Sequence, residues 1–129
     1  MKKYHILVAE DDTELLKVIT LLLKSRGYYT YAVKEGKKAW QILSSKSVDL
    51  AILDIKMPGI DGLTLVKKIK STSSLKSIPV IIITGVTRTS GKSDDYWTIR
   101  VGADDFITKP FEPQDLLKRI EEQLKIYEE

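Results

Sequence analysis

The sequence of 129 residues predicts an α/β protein: a doubly wound, five-stranded parallel sheet with five helices over both faces. Three observations predict it. Strand-like and helix-like segments alternate about five times, the pattern of parallel strands joined by helical crossovers. The runs Ile6-Leu7-Val8-Ala9, Ala51-Ile52-Leu53, Val80-Ile81-Ile82-Ile83 and Phe106-Ile107 are continuously apolar, as strands buried on both faces are. Each run leads into polar functional groups: Glu10-Asp11-Asp12, Asp54, Thr84, and Lys109 just past Thr108. Ligands of open α/β sheets bind beyond the carboxyl ends of the strands, so these groups are expected to converge there.

Taken in order, the first strand covers about 4–9 and the first helix about 13–25. Leu15, Val18, Ile19 and Leu22 recur on that helix at the spacing of a core-facing stripe, and Gly27 follows as a C-terminal cap. A short second strand, about 29–33, leads to a second helix around 37–44. The third strand spans about 48–54 and ends on Asp54. Met57-Pro58-Gly59-Ile60-Asp61-Gly62 is a turn, with Gly59 and Gly62 serving it, and a third helix covers about 63–70. Ser71-Thr72-Ser73-Ser74 is a polar loop within one domain rather than a linker between two. The fourth strand covers about 80–83, a helix is expected at 94–101, and the fifth strand covers about 105–108. Glu112-Pro113 opens the final helix, which is expected to reach about 127, because proline suits a first helical turn. No repeat or second domain is evident, and the chain reads as one domain over 1–129.

Composition narrows the function classes. Hydrophobic residues at 43% and charged residues at 30% are ordinary for a globular domain, which argues against a disordered chain. The longest apolar candidate, 15–23, is interrupted by Lys17 and Thr20 and is far short of the roughly 20 residues that span a bilayer. The start, Met1-Lys2-Lys3-Tyr4-His5, runs straight into a strand rather than resembling a signal peptide, so a cytoplasmic protein without membrane insertion is expected. Without cysteine there is neither a disulfide framework nor a thiolate metal site. The net charge of +3 is small, and Lys37-Lys38 and Lys67-Lys68 lie on helices as solvated faces. Direct nucleic-acid binding is therefore not expected. His5 has no companion ligand, and Trp40 reads as packing.

The chemistry sits at the strand ends. Carboxylates crowded together repel unless a cation neutralises them or protons are taken up. Glu10, Asp11 and Asp54 come from neighbouring strand ends, with no histidine or cysteine nearby, and all-oxygen donors favour Mg²⁺. Asp12 fits a different task, capping the first helix. Asp54, directly after apolar residues, is rigidly placed but reachable, and a carboxylate can attack phosphorus to form an acyl phosphate. Such transfer depends on neutralising charge on the equatorial oxygens, and the Thr84 hydroxyl, the Lys109 ammonium and Mg²⁺ can each cover one.

These segments resemble the response-regulator receiver domains of two-component signalling, of the single-domain, chemotaxis-regulator-like kind. The resemblance covers essentially the whole chain. It rests on Ile6-Leu7-Val8-Ala9-Glu10-Asp11-Asp12, on the stretch from Asp49 through Asp54-Ile55-Lys56-Met57-Pro58-Gly59 to Gly62, on Ile82-Ile83-Thr84-Gly85, and on the stretch from Gly102 to Lys109-Pro110-Phe111. It implies a flavodoxin-like strand order 2-1-3-4-5. Asp54 would accept a phosphoryl group from a phosphohistidine on a sensor histidine kinase or a histidine phosphotransfer protein. Asp11 would bind Mg²⁺ directly, Glu10 mainly through water, and Lys56 through its backbone carbonyl. Thr84 and Lys109 would hold the phosphoryl oxygens, and the Lys109-Pro110 bond would be cis. Thr84 and Phe106 would form the switch. The helix at 94–101, the fifth strand and the final helix would be the surface read by an output protein that the sequence does not identify.

The resemblance implies a stoichiometric switch with self-catalysed phosphorylation and dephosphorylation, not a turnover enzyme. An aspartyl-nucleophile phosphatase needs a second aspartate two positions after the nucleophile, where Lys56 stands. The other alternative is the regulatory part of a larger transcription factor or hybrid kinase. Leu16 and Leu23, outside the expected core stripe, are expected to be exposed and to dock the phosphodonor helix. Lys56 and Val86, each two positions after a site residue, are expected to tune the acyl-phosphate lifetime. The eighteen positions from Thr84 to Gly102 exceed the family's usual number, and Tyr96-Trp97 within them suit a partner-specific apolar spot.

Overall fold

Five short strands run parallel in the order β2-β1-β3-β4-β5: β1 (His5–Ala9), β2 (Tyr29–Val33), β3 (Leu50–Asp54), β4 (Val80–Thr84) and β5 (Asp105–Thr108). The structure, a computed structural model, describes residues 3–85 and 101–126. Four helices lie among them: α1 (Thr13–Ser25), α2 (Gly36–Ser45), α3 (Gly62–Lys70) and α4 (Pro113–Leu124). The helix expected at 94–101, along with Val86, Tyr96 and Trp97, falls outside the described residues, except for Val101, which is buried.

β3 and β4 are buried at every position because helices cover both sides of the sheet. Leu7, Ala9, Ala51, Leu53 and Ile82 face α2 and α3, packing against Ala39, Leu43, Leu65, Val66 and Ile69. Ile6, Val8, Ile52, Ile81 and Ile83 face α1 and α4, packing against Ile19, Leu23, Leu116 and Ile120. Period-two alternation along each strand thus feeds two cores.

Helix starts follow the capping residues. Asp12 accepts hydrogen bonds from the backbone N–H groups of Glu14 and Leu15 at 3.0 and 3.2 Å, and Asp61 accepts one from Thr64 at 2.8 Å. Gly27, with φ +85°, ends α1 and donates to the Lys24 carbonyl at 3.0 Å. Pro113 opens α4.

The face of α1 differs from the expected one. Leu16 and Leu23 are buried, and Val18 is 53% exposed. Leu15 and Leu22 are half-buried at the edge of the core. The helix is apolar at Leu15, Leu16, Val18, Ile19, Leu21, Leu22 and Leu23, so two stripes at helical spacing share Ile19. Packing against both the sheet and α4 selects the stripe through Leu16, Ile19 and Leu23. Leu16 and Leu23 are thus core residues, not docking residues.

Candidate functional site

Register brings the strand-end residues together. Asp54 closes β3 opposite Ile83, and Ala9 pairs with Leu53, which puts Glu10 and Asp11 beside Asp54. Thr84 closes β4 and pairs with Thr108, and Lys109 donates its backbone N–H to the Thr84 carbonyl at 2.8 Å. Thr84 is almost fully buried.

Carboxylate oxygens of Glu10, Asp11 and Asp54 all lie within 4.8 Å of one another. Glu10 is fully buried, Asp54 nearly so, and Asp11 is exposed, so the cluster has a dry floor and an open mouth. The Lys109 ammonium spans the floor, 3.0 Å from Glu10 Oε1 and 3.3 Å from Asp54 Oδ2. Its bond to Asp54 has hydrogen-bonding geometry, whereas its approach to Glu10 Oε1 is an ion pair without that geometry. Glu10 Oε2 accepts the Asp12 backbone N–H at 3.0 Å. Oε1 is buried and accepts no hydrogen bond.

The electrostatics follow from this crowding. Burial, and then the Asp54 carboxylate alongside, push the Glu10 carboxyl up from 4.5 to about 7, although the Asp12 N–H and Lys109 oppose the rise. Burial alone would lower the Lys109 pKa, but the Glu10 and Asp54 carboxylates outweigh it and raise the ammonium above its ordinary value. Three carboxylates within 4.8 Å of one another, set against one ammonium, leave a net negative charge that a divalent cation would balance. Hard oxygen donors with no nitrogen or sulfur among them fit Mg²⁺. The fit is to the residues themselves: three carboxylates against one ammonium, with the Asp11 carboxylate at the open mouth.

Lys56 lies two residues beyond Asp54 with its side chain exposed. Phe106 stands apart from the acidic cluster. It is half-buried in β5, packs on the α2–α3 side of the sheet, and pairs with Ile82. Its carbonyl accepts a hydrogen bond from Arg119 Nη1 at 2.9 Å. The Lys109-Pro110 bond is cis, as the resemblance implied.

Two features escaped the sequence reading. Glycines 36 and 62 lie against the loop after Asp54: an added Cβ would fall 1.8 Å from the Ile60 carbonyl oxygen and 2.1 Å from the Asp54 carbonyl oxygen, respectively. The second is a groove of ≈ 500 Å³ beside the cluster, lined in part by Leu15, Leu22, Lys109, Phe111 and Pro113. Apolar residues recurring on α1 beyond those its core needs were the available signal for the groove. Nothing in the sequence pattern signals a close backbone approach.

The response regulator receiver domain family matches this sequence over residues 6–121. The chain belongs to that family. This receiver domain is 38% identical over 120 residues to the response regulator GtcR of Aneurinibacillus migulanus, covering 93% of this chain and 47% of that protein. Among solved structures, the signal receiver domain of a signal transduction histidine kinase from Syntrophus aciditrophicus is 34% identical, with a TM-score of 0.82, over 95% of this chain and 90% of that one. A CheY-like response regulator receiver domain protein from Methanospirillum hungatei JF-1 is 27% identical, with a TM-score of 0.84, over 96% and 95% of the two chains. The chain spans about half the length of the first curated relatives it matches. No helix among the described residues is long and apolar enough to cross a membrane.

Proposed function

We propose that this receiver domain is a phosphorylation-dependent switch whose phosphoacceptor is Asp54. The observation that carries the reading is the convergence of Glu10, Asp11 and Asp54 with the Lys109 ammonium 3.3 Å from Asp54 Oδ2. An Asp54 oxygen attacks phosphorus, and the P–N bond to the donor imidazole breaks. The nitrogen keeps the electron pair and takes up a proton, leaving an aspartyl phosphate and a neutral histidine. The Lys109 ammonium and the Thr84 hydroxyl each hold one phosphoryl oxygen. Glu10, Asp11 and Asp54, with the Lys56 backbone carbonyl, would hold Mg²⁺, which when bound neutralises the remaining oxygen. Water later cleaves the acyl phosphate and resets Asp54, so each phosphorylation is one switching event whose output is a protein state rather than a released product.

The donor is a sensor histidine kinase or a histidine phosphotransfer protein. The groove between α1 and the 109–113 segment opens beside Lys109, and Leu15, Leu22 and Phe111 give it an apolar wall suited to the donor's helix. Phosphate draws Thr84 inward and repacks Phe106, which changes the surface formed by β5 and α4. Phenylalanine has no hydroxyl, so this switch works through packing alone. Phosphate acts only through its preference for one of two states.

Mass spectrometry after treatment with acetyl phosphate tests the proposal. One phosphoryl mass is expected, dependent on Mg²⁺ and lost in Asp54→Ala. A gain that persists in Asp54→Ala would sink the assignment, and rapid hydrolysis of the phosphodonor with no accumulating phosphoprotein would favour the phosphatase instead. A second reading, in which the same switch regulates a longer protein, is favoured by the length of the relatives.

A further inference from the structure

We propose that Gly36, at the start of α2, is a positioning residue for the loop that follows Asp54. The inference rests on the phosphoacceptor reading above, because that loop begins at Asp54 and carries the Lys56 carbonyl. The loop is closed at its neck by the Gly62 N–H, which donates to the Ile55 carbonyl at 2.8 Å. There the Gly62 Cα is pressed against the Asp54 backbone, where a Cβ would fall 2.1 Å from the carbonyl oxygen. On its outer side the loop meets α2. A Cβ on Gly36 would fall 1.8 Å from the Ile60 carbonyl oxygen and 2.9 Å from the Ile60 Cβ.

Space, not conformation, calls for glycine at position 36. Among the described glycines, positive φ occurs at Gly27, Gly59 and Gly102 and not at the helical Gly36, whose backbone suits any residue. Neither side of the contact retreats freely. Ala39 and Leu43 anchor α2 in the core, while Met57 and Ile60 of the loop pack into the same cluster. Ordinary contact with a carbonyl oxygen would require the two backbones to separate by roughly 1.5 Å. Displacing groups at a reacting centre by about 1 Å can cost on the order of 10²-fold in rate. α2 thus acts as a backstop that fixes where the loop, and with it the Lys56 carbonyl, stands relative to Asp54.

The test compares Gly36→Ala with Gly27→Ala in the full chain. Gly27 has φ +85° and nothing within 4 Å of an added Cβ, so its substitution strains the backbone without a clash. It precedes β2, at the end of the sheet opposite the carboxylates. Three quantities are read: the urea midpoint, Mg²⁺ affinity by calorimetry, and the acetyl phosphate phosphorylation rate by mass. Both variants are expected to lose stability. Gly36→Ala alone is expected to weaken Mg²⁺ binding and slow phosphorylation, each by about 10- to 100-fold. Mg²⁺ affinity and rate within twofold of wild type in a folded Gly36→Ala would overturn the proposal, as would equal losses in Gly27→Ala. Should Gly36→Ala fail to fold, Ile60→Gly frees the same loop from its core anchor, with an expected loss of about 3- to 10-fold in Mg²⁺ affinity. Unchanged affinity there is the contrary result. Phosphorylation of the wild type tests the Asp54 reading separately, so the two ideas fail in distinguishable ways.

Discussion

Replacing Glu10 with glutamine should stabilise the metal-free protein at high pH and leave its stability unchanged at low pH. The folded-state pKa of about 7 lies above the ordinary 4.5. Below the lower value the carboxyl is protonated in both states and costs nothing. As pH rises from there to about 7, the unfolded chain gives up the proton first and the folded state lags, so stability falls. Above the folded value the loss is complete, and the interval between the two pKa values corresponds to roughly 3 kcal/mol. The opposing effect of Lys109 is already contained in that interval. Glutamine keeps the shape but never ionises, so the advantage of Glu10→Gln should grow from near zero at about pH 4.5 to at most about 3 kcal/mol at pH 8. For a chain of this size that amounts to about 10 °C in Tm. Urea unfolding in EDTA across this pH range measures it. Adding Mg²⁺ should narrow the gap, because a cation stabilises the protein that carries the anion. A gap that does not change with pH, or a variant less stable than the parent at pH 8, would refute the claim that burial and Asp54 penalise the ionised carboxyl.

Other substitutions probe the same structure. Leu23→Ala removes a fully buried side chain and should cost about 2–5 kcal/mol in urea unfolding, whereas Val18→Ala should stay within about 0.5 kcal/mol; the reverse order would restore the sequence-based face of α1. Lys109→Ala removes the cation 3.3 Å from Asp54 and should slow phosphorylation by acetyl phosphate by about 10²- to 10³-fold, followed by mass. Leu22→Glu places a charge on the groove wall and should slow transfer from the cognate kinase about tenfold while leaving the acetyl phosphate reaction unchanged, since hot-spot contacts matter only to a docked partner.

Much of this arrangement was legible because it depends on local order. The continuous hydrophobicity of Ile6–Ala9, 51–53 and 80–83 identifies buried parallel strands, and Asp12, Gly27 and Pro113 mark helix ends through their own backbone requirements. The convergence of Glu10, Asp11 and Asp54 follows from parallel strands and their register. What was not legible depends on three-dimensional competition. α1 offers two apolar stripes, and the choice between them is made by α4, nearly a hundred residues away in sequence. Gly36 resembles any helix-start glycine until the Ile60 carbonyl is placed against it. Lys109 was legible as a strand-end cation, but its placement between Glu10 and Asp54, in contact with both, belongs to the assembled site.

That shared ammonium bears on how the switch is timed. In the free protein Lys109 is the one cation among the described residues that pairs with both buried carboxylates, Glu10 and Asp54. On the proposed reading, a phosphoryl group on Asp54 draws the ammonium toward its own oxygens. Glu10 then faces more negative charge with less compensation, and its own side chain is fully buried, where unpaired charge is most costly. It must either take up a proton or share a divalent cation. Burial and the added negative charge favour proton uptake, and a divalent cation competes with that proton for the same oxygens, so the cation's share of the load grows as pH rises. Phosphate and Mg²⁺ are therefore expected to strengthen one another's hold. By reciprocity the aspartyl-phosphate form binds the metal more tightly than the free form does. The coupling arises from one lysine placed between two acids, and it should weaken when Glu10 is made permanently neutral.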